Sequence, residues 1–143
     1  MNAQIQEVLQ RMRLVYLANL TQRLDAMGTQ VLELKHGDVH ADSFEDLHRA
    51  VHSLKGTAGT YGLQIITEIC EPFEDCLTAA HESGMSGSEQ LINCCMHFID
   101  LLREVTSQLV AGEESFTEVE AYLNDTSWSA TCSPSAFHRS PKP

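Results

Sequence analysis

In the stretch Asp42-Ser43-Phe44-Glu45-Asp46-Leu47-His48-Arg49-Ala50-Val51-His52-Ser53-Leu54-Lys55-Gly56-Thr57-Ala58-Gly59-Thr60-Tyr61-Gly62, the apolar residues Phe44, Leu47, Val51, Leu54, Ala58 and Tyr61 recur at steps of three and four. That is the period of an α-helix with one buried stripe. Asp42 followed three residues later by Glu45 fits a capping box that opens this helix, and Gly62 is placed to end it. A helix with a single apolar stripe has to be covered by other elements, so the next question is what flanks it.

On the N-terminal side Ile5, Val8, Leu9, Met12, Val15, Tyr16, Leu20, Leu24 and Met27 keep helical spacing, and Val31 and Leu34 continue it beyond Gly28. This reads as one long helix, or two with a break, ending in the irregular segment His36 to Asp42. On the C-terminal side Ile66, Ile69, Cys70, Phe73, Leu77 and Ala80 share a face, with Pro72 inside the run predicting a kink. The turn Glu82 to Gly87 ends that segment. Ser88 then caps a last amphipathic helix through Leu91, Cys95, Phe98, Leu102, Val105 and Leu109, to about Ala111. Short connections between such helices predict an all-α, up-and-down four-helix bundle over residues 1–111, with an additional N-terminal helical segment. Residues 112–143 are acidic and then Ser- and Pro-rich, with no Lys or Arg between Arg103 and Arg139. They read as an irregular tail or linker, partly disordered.

Composition narrows the function. The chain has 143 residues, 43% apolar and 20% charged, enough for one core and too few for two ordinary domains. Nine Lys plus Arg against twenty Asp plus Glu gives a formal charge of −11, so nucleic acid is not an expected partner. No apolar run approaches the roughly 20 residues of a membrane span, and Met1-Asn2-Ala3-Gln4 does not open a leader, so a cytoplasmic protein with no membrane partner is expected. The five cysteines (Cys70, Cys76, Cys94, Cys95, Cys132) include no CxxC pair. Cys94 and Cys95 are adjacent and poorly placed to bridge each other, so a disulfide framework is not expected. Cys70, Cys94 and Cys95 read as small core residues, and Cys76 stays unassigned.

The chemistry sits off the stripe of the quoted helix. At about 100° per residue His52 lies well away from Phe44, Leu47, Val51, Leu54 and Ala58, with Lys55, Gly56 and Gly59 on its own exposed ridge. A helical Gly costs about 1 kcal/mol relative to Ala, so two on one ridge call for another reason to be there. Close packing by a neighbouring helix would need them on the apolar stripe, which they are not. Bare backbone beside His52 would instead let a second macromolecule approach the imidazole, with Lys55 to receive an anion. Neutral imidazole is a nucleophile near pH 7, and a phosphoryl group on its nitrogen can be passed on.

The run His52-Ser53-Leu54-Lys55-Gly56-Thr57-Ala58-Gly59-Thr60-Tyr61-Gly62 resembles the signature of histidine-containing phosphotransfer (HPt) domains of bacterial two-component phosphorelays, and the resemblance extends over roughly residues 10–110. It implies that His52 accepts the phosphoryl group and that Lys55 steadies it. It also implies that His48, Gly56, Gly59 and Gly62 belong to the surface on which a receiver domain docks. Thr57 stands where the family often has Ser or Ala. The implied partners are receiver domains of a hybrid sensor kinase or a response regulator, which bring the phospho-aspartate and Mg²⁺. This chain would bind no cofactor of its own, and a monomer is favoured. No Gly-x-x-x-x-Gly-Lys-Ser/Thr loop is present, so ATP-dependent kinase activity is not expected.

Other readings lead elsewhere. His48 and His52, or His36 and His40, with Cys94 and Cys95 as thiolates, could hold a metal, although no Glu-x-x-His or CxxC pair completes a ligand set. A helical adaptor that docks without carrying phosphate would share everything except the need for His52. The module could also be a segment of a larger kinase or diguanylate cyclase.

Overall fold

The computed structural model describes residues 2–36, 42–125 and 131–137. Within these residues the helices with described bounds follow in order: α1 (Ala3–Lys35), α2 (Asp42–Thr60), α3 (Gln64–Glu82), α4 (Glu89–Val110) and the short α5 (Thr117–Asn124), with a 3-10 turn at Pro134–Ala136. No strand occurs among the described residues. Helices α1 to α4 form an up-and-down bundle in which α1 packs on α2 and α4, and α3 packs on α2 and α4. The core is the predicted one along α2, α3 and α4: Leu47, Val51, Leu54, Ala58, Ile66, Ile69, Phe73, Leu77, Leu91, Phe98, Leu102 and Val105 are all buried.

Local signals account for most of the ends. Gly62 has φ +72°, and the Leu63 and Gly62 amides donate to the carbonyls of Ala58 and Gly59 at 2.9 and 3.1 Å. This is a Schellman ending, closed by the buried pair Ala58 and Leu63. The Ser88 hydroxyl accepts from the Leu91 amide at 3.2 Å, the predicted N-cap. Asp42 differs from its expected place: it is already the first helical residue of α2, and the position before it lies outside the described residues. Its carboxylate and that of Glu45 still occupy the first turn, where the helix dipole favours them.

The first helix is continuous through Gly28, and α3 is continuous through Pro72. One expectation about α1 is corrected. Its apolar residues do not form a single buried stripe: Tyr16, Leu17, Leu20, Leu24, Met27 and Val31 are buried, whereas Ile5, Val8, Leu9, Met12 and Val15 are exposed. With 33 residues α1 is about 50 Å long at 1.5 Å per residue, longer than α2 or α4 can cover, and its first turns run past the end of the bundle.

The cysteine reading is also corrected. Cys94 on α4 is bonded to Cys132, with Cα atoms 5.7 Å apart. Adjacency of Cys94 to Cys95 said nothing about a partner that the tail folds back to supply. Cys70, Cys76 and Cys95 are free and buried, which settles Cys76 as a core residue; burial pushes the Cys70 and Cys76 thiols up to about 12. The described parts of the segment beyond residue 112 pack on the bundle through Phe116, Val119, Cys132 and Phe137, scattered apolar residues in a stretch whose composition is polar. The Ser83 hydroxyl donates to the Phe137 carbonyl at 2.7 Å, and the Gln90 amide donates to the Thr131 carbonyl at 2.8 Å.

Opening the Cys94–Cys132 bond, which spans 38 residues, is expected to cost up to about 4 kcal/mol by loop-closure entropy. Thermal melts with and without a phosphine reductant check this. The wild type should melt lower when reduced, and Cys132→Ser should melt at the reduced temperature in both buffers. Equal wild-type melts would show that the bond contributes nothing.

Candidate functional site

The ridge of α2 that flanks its buried stripe carries His48, His52, Lys55, Gly56 and Gly59, as their spacing requires. Helix α3 runs antiparallel beside it and presents a polar face of its own, Thr67, Glu74 and Thr78. The two rows meet rung by rung. Thr67 donates to the Lys55 carbonyl at 2.9 Å, Lys55 Nζ donates to Glu74 Oε1 at 2.6 Å, His52 Nδ1 bonds Glu74 Oε2, and His48 Nε2 lies 3.1 Å from Thr78 Oγ1.

Glu74 is therefore the centre of the site, and the sequence reading missed it. Its side chain is only 13% exposed, against 69% for His52 and 30% for Lys55. Burial pushes the Glu74 carboxyl up, but the bonds from Lys55 and His52 outweigh this and hold it below its ordinary 4.5. Lys55 is held above its ordinary value, first by the hydrogen bond to Glu74. At neutral pH Glu74 is thus a carboxylate that can only accept, so the bond between them needs a proton on His52 Nδ1, and in the neutral ring that tautomer places the lone pair on Nε2. With most of the ring exposed, that lone pair is open to a reactant. Lys55 was expected as a free surface cation; it is instead paired, because α3 places an acid within its reach.

The glycines divide. A Cβ at Gly56 would meet no atom within 4 Å, so this position opens directly on solvent. One at Gly59 would sit 3.6 Å from Thr67 Oγ1, so Gly59 is exposed but also borders α3, contrary to the expectation that no neighbouring helix comes near it. Gly62 ends α2, about 15 Å along the axis from His52. Its left-handed φ accounts for the glycine there. Below His52 the ridge descends into a groove lined by Phe44, His48, Thr78 and His81, in which the His81 ring stacks on Phe44 at 4.9 Å. Among the described residues no three His, Cys, Asp or Glu side chains come together as a metal-holding group; His36 is exposed, and His40 lies outside the described residues. No helix is long and apolar enough to cross a membrane among the described residues.

The Glu74 bonds carry a pH dependence. A carboxyl whose folded pKa is depressed stabilises the fold above its ordinary value, and that contribution is lost as pH falls through the folded pKa, here below 4.5. Thermal melts from neutral pH down to about pH 3 should therefore fall more steeply for the wild type than for Glu74→Gln. Parallel curves would mean that the carboxylate adds nothing to stability.

A family model described as Hpt domain matches residues 11–126. Among curated proteins, the chain is 30% identical over 88 residues to a protein named Chemotaxis protein CheA from Salmonella typhimurium, covering 62% of this chain and 13% of that one. It is 30% identical over 97 residues to the Klebsiella aerogenes protein of the same name, covering 68% of this chain and 15% of that one. The Rhizobium meliloti protein of that name is 24% identical over 93 residues, covering 65% and 12%. The chain thus spans well under a quarter of the length of these relatives. No solved structure gives a significant match.

Proposed function

This chain belongs to the Hpt domain family, the histidine phosphotransfer modules of two-component signalling, and from that premise we propose that it relays a phosphoryl group between receiver domains through His52. The observation that carries the proposal is the triad of His52, Glu74 and Lys55 on a ridge left bare at Gly56. In the forward step the Nε2 lone pair of His52 attacks the phosphorus of a receiver's aspartyl phosphate. A P–N bond forms as the P–O bond to the aspartate breaks, and the carboxylate leaves with the electron pair. The Nδ1 proton stays on the ring, shared with Glu74, which offsets the positive charge the imidazole acquires. Lys55 turns from Glu74 to the phosphoryl oxygens. The return step, to the aspartate of a second receiver, reverses these moves. Mg²⁺ belongs to the receivers, and this chain's residues supply the nucleophile and the local charge.

Docking in this proposal uses His48, Gly56 and Gly59 along the ridge, with Gly62 at its far end. Gly56→Leu should fold at least as well as the wild type, by up to about 1 kcal/mol, since a helical glycine is removed into open space. Transfer from a receiver should slow at least about tenfold, equivalent to about 1.4 kcal/mol of barrier. An unchanged rate would show that the partner does not approach over Gly56.

The deciding experiment incubates the purified chain with a panel of phosphorylated receiver domains and Mg²⁺ and follows acid-labile, base-stable phosphate. Rapid labelling from at least one receiver is expected. No label from any, with the helical fold intact, would overturn the relay between receivers, and no label from a kinase donor with ATP either would leave a phosphate-independent adaptor. The matched relatives are much longer proteins named for chemotaxis, and this favours one second reading: a phosphotransfer segment within a larger chain, supplied from a kinase site elsewhere. Labelling by such a kinase with ATP, and by no receiver, would select it. The proposed location is the cytoplasm. In a reducing compartment Cys94 and Cys132 would stand as thiols, and burial of Phe137 and the Gln90 and Ser83 bonds would hold the tail.

A further inference from the structure

The first turns of α1 hold an apolar surface that the bundle does not use. Ile5, Val8, Met12 and Val15 are spaced three, four and three apart, the a/d rhythm of a helix-pairing seam, and Leu9 widens it. All five are exposed, Val15 to 62%.

This seam is not the bundle-facing stripe prolonged. Leu17, Leu20, Leu24, Met27 and Val31 face the core, and the same rhythm carried back toward the N-terminus falls on Arg13, Gln10 and Gln6. At about 100° per residue the seam lies roughly 100° around the helix from that stripe. It turns to the side that α2 occupies lower down, where Tyr16 stacks on Tyr61 with centroids 4.7 Å apart and Tyr16 Oη lies 2.8 Å from Thr57 Oγ1. Because α2 ends at this level, the seam stands directly above its C-terminus. Val8, Met12, Val15, Tyr16 and Tyr61 line a groove there together with the polar Arg11, Asn19 and Arg23.

We propose that this groove is filled by the same seam of a second copy of the chain, the two α1 helices running antiparallel. Three features favour this occupant. A thirteen-residue helical extension without a partner is marginal in water, so the sequence that keeps it helical and apolar on one side calls for another helix. A parallel copy would drive its own bundle into α2, whereas an antiparallel copy continues away past the N-terminus of α1 and leaves both bundles clear. Antiparallel packing also sets the positive N-terminal end of each α1 beside the negative C-terminal end of the other copy's α2, at Tyr61. The contact is isologous and closes at two copies. His52 precedes Tyr61 by nine residues, roughly 13 Å down α2, and stays open in both.

A seam of this length is smaller than the about 800 Å² per partner of a standard interface, so the pair should be weak and concentration-dependent. Sedimentation of the full chain from low micromolar to near-millimolar concentration is the test. The mass should rise from 15.9 kDa toward twice that value. Val8→Glu should stay monomeric throughout, with unchanged melting at low concentration and unchanged phosphate uptake on His52. Proteins carrying Val8→Cys and Met12→Cys should cross-link faster when mixed than either does alone. A wild type that stays monomeric, a dimer that survives Val8→Glu, or faster cross-linking of Val8→Cys with itself would each overturn the proposal. None of these three overturning outcomes depends on phosphotransfer.

Discussion

His52→Gln is expected to remove all acid-labile phosphate while leaving the bundle as stable as before. Glutamine matches the reach of the imidazole, is a good helix former, and its amide can still donate to Glu74, but it has no basic nitrogen to attack phosphorus. The position is 69% exposed, and surface changes of this kind stay within about 0.5 kcal/mol. Labelling should therefore fall to background while the melting temperature hardly moves, a separation that an unfolded variant could not give. The sharpest control is one turn away. His48 lies four residues before His52 on the same ridge, and its Nε2 is already engaged with Thr78. Label that persists in His52→Gln and vanishes in His48→Gln would move the acceptor down the ridge and overturn the assignment.

The largest stability effect is expected at Phe73. Its ring is fully buried and stacks on Phe98 at 5.1 Å, joining α3 to α4 in the middle of the core. Phe73→Ala removes that pair and leaves a cavity that neighbouring helices cannot close, at a cost of about 3–5 kcal/mol. For a domain of this size that lowers the melting temperature by roughly 10–20 °C. Denaturant titration measures it directly. A loss below about 1 kcal/mol would mean that the α3–α4 layer is not packed as described. Because Phe73 immediately precedes Glu74, the variant should also loosen the acid that orients His52, so transfer should weaken even where the protein is still folded.

Much of this was legible in the sequence. Periodicity located α2, α3 and α4 and their buried faces, and the glycine pattern singled out His52, Lys55 and Gly56. Glu74 was not legible, because a polar residue on an amphipathic helix shows no individuality until its neighbour is known. A geometric signal did exist. Leu63 is the midpoint in sequence of His52 and Glu74, of His48 and Thr78, and of Gly59 and Thr67. In an antiparallel hairpin of two helices of equal pitch, residues equidistant from the turn face each other, so centring the turn on Leu63, directly after the helix-ending Gly62, would have put the acid opposite the histidine. The Cys94–Cys132 bond gave no comparable signal, since it depends on the path of a tail with little periodicity. The exposed seam of α1 was misread because spacing reports which residues share a face and not whether anything covers it.

The resting bond between Lys55 and Glu74 has a consequence for selectivity. An uncommitted lysine beside an open imidazole would attract any small anion in its surroundings, and cells hold free phosphate, sulfate and carboxylates in abundance. Here the seat is already taken by an internal carboxylate that cannot diffuse away. A dissolved anion must evict it without help, whereas under the proposed function a phosphoryl group delivered by a docked protein would arrive along with the binding energy of the whole contact. In the proposed relay the tether would thus act as a lock against background traffic, yielding only to a donor that brings its own leverage.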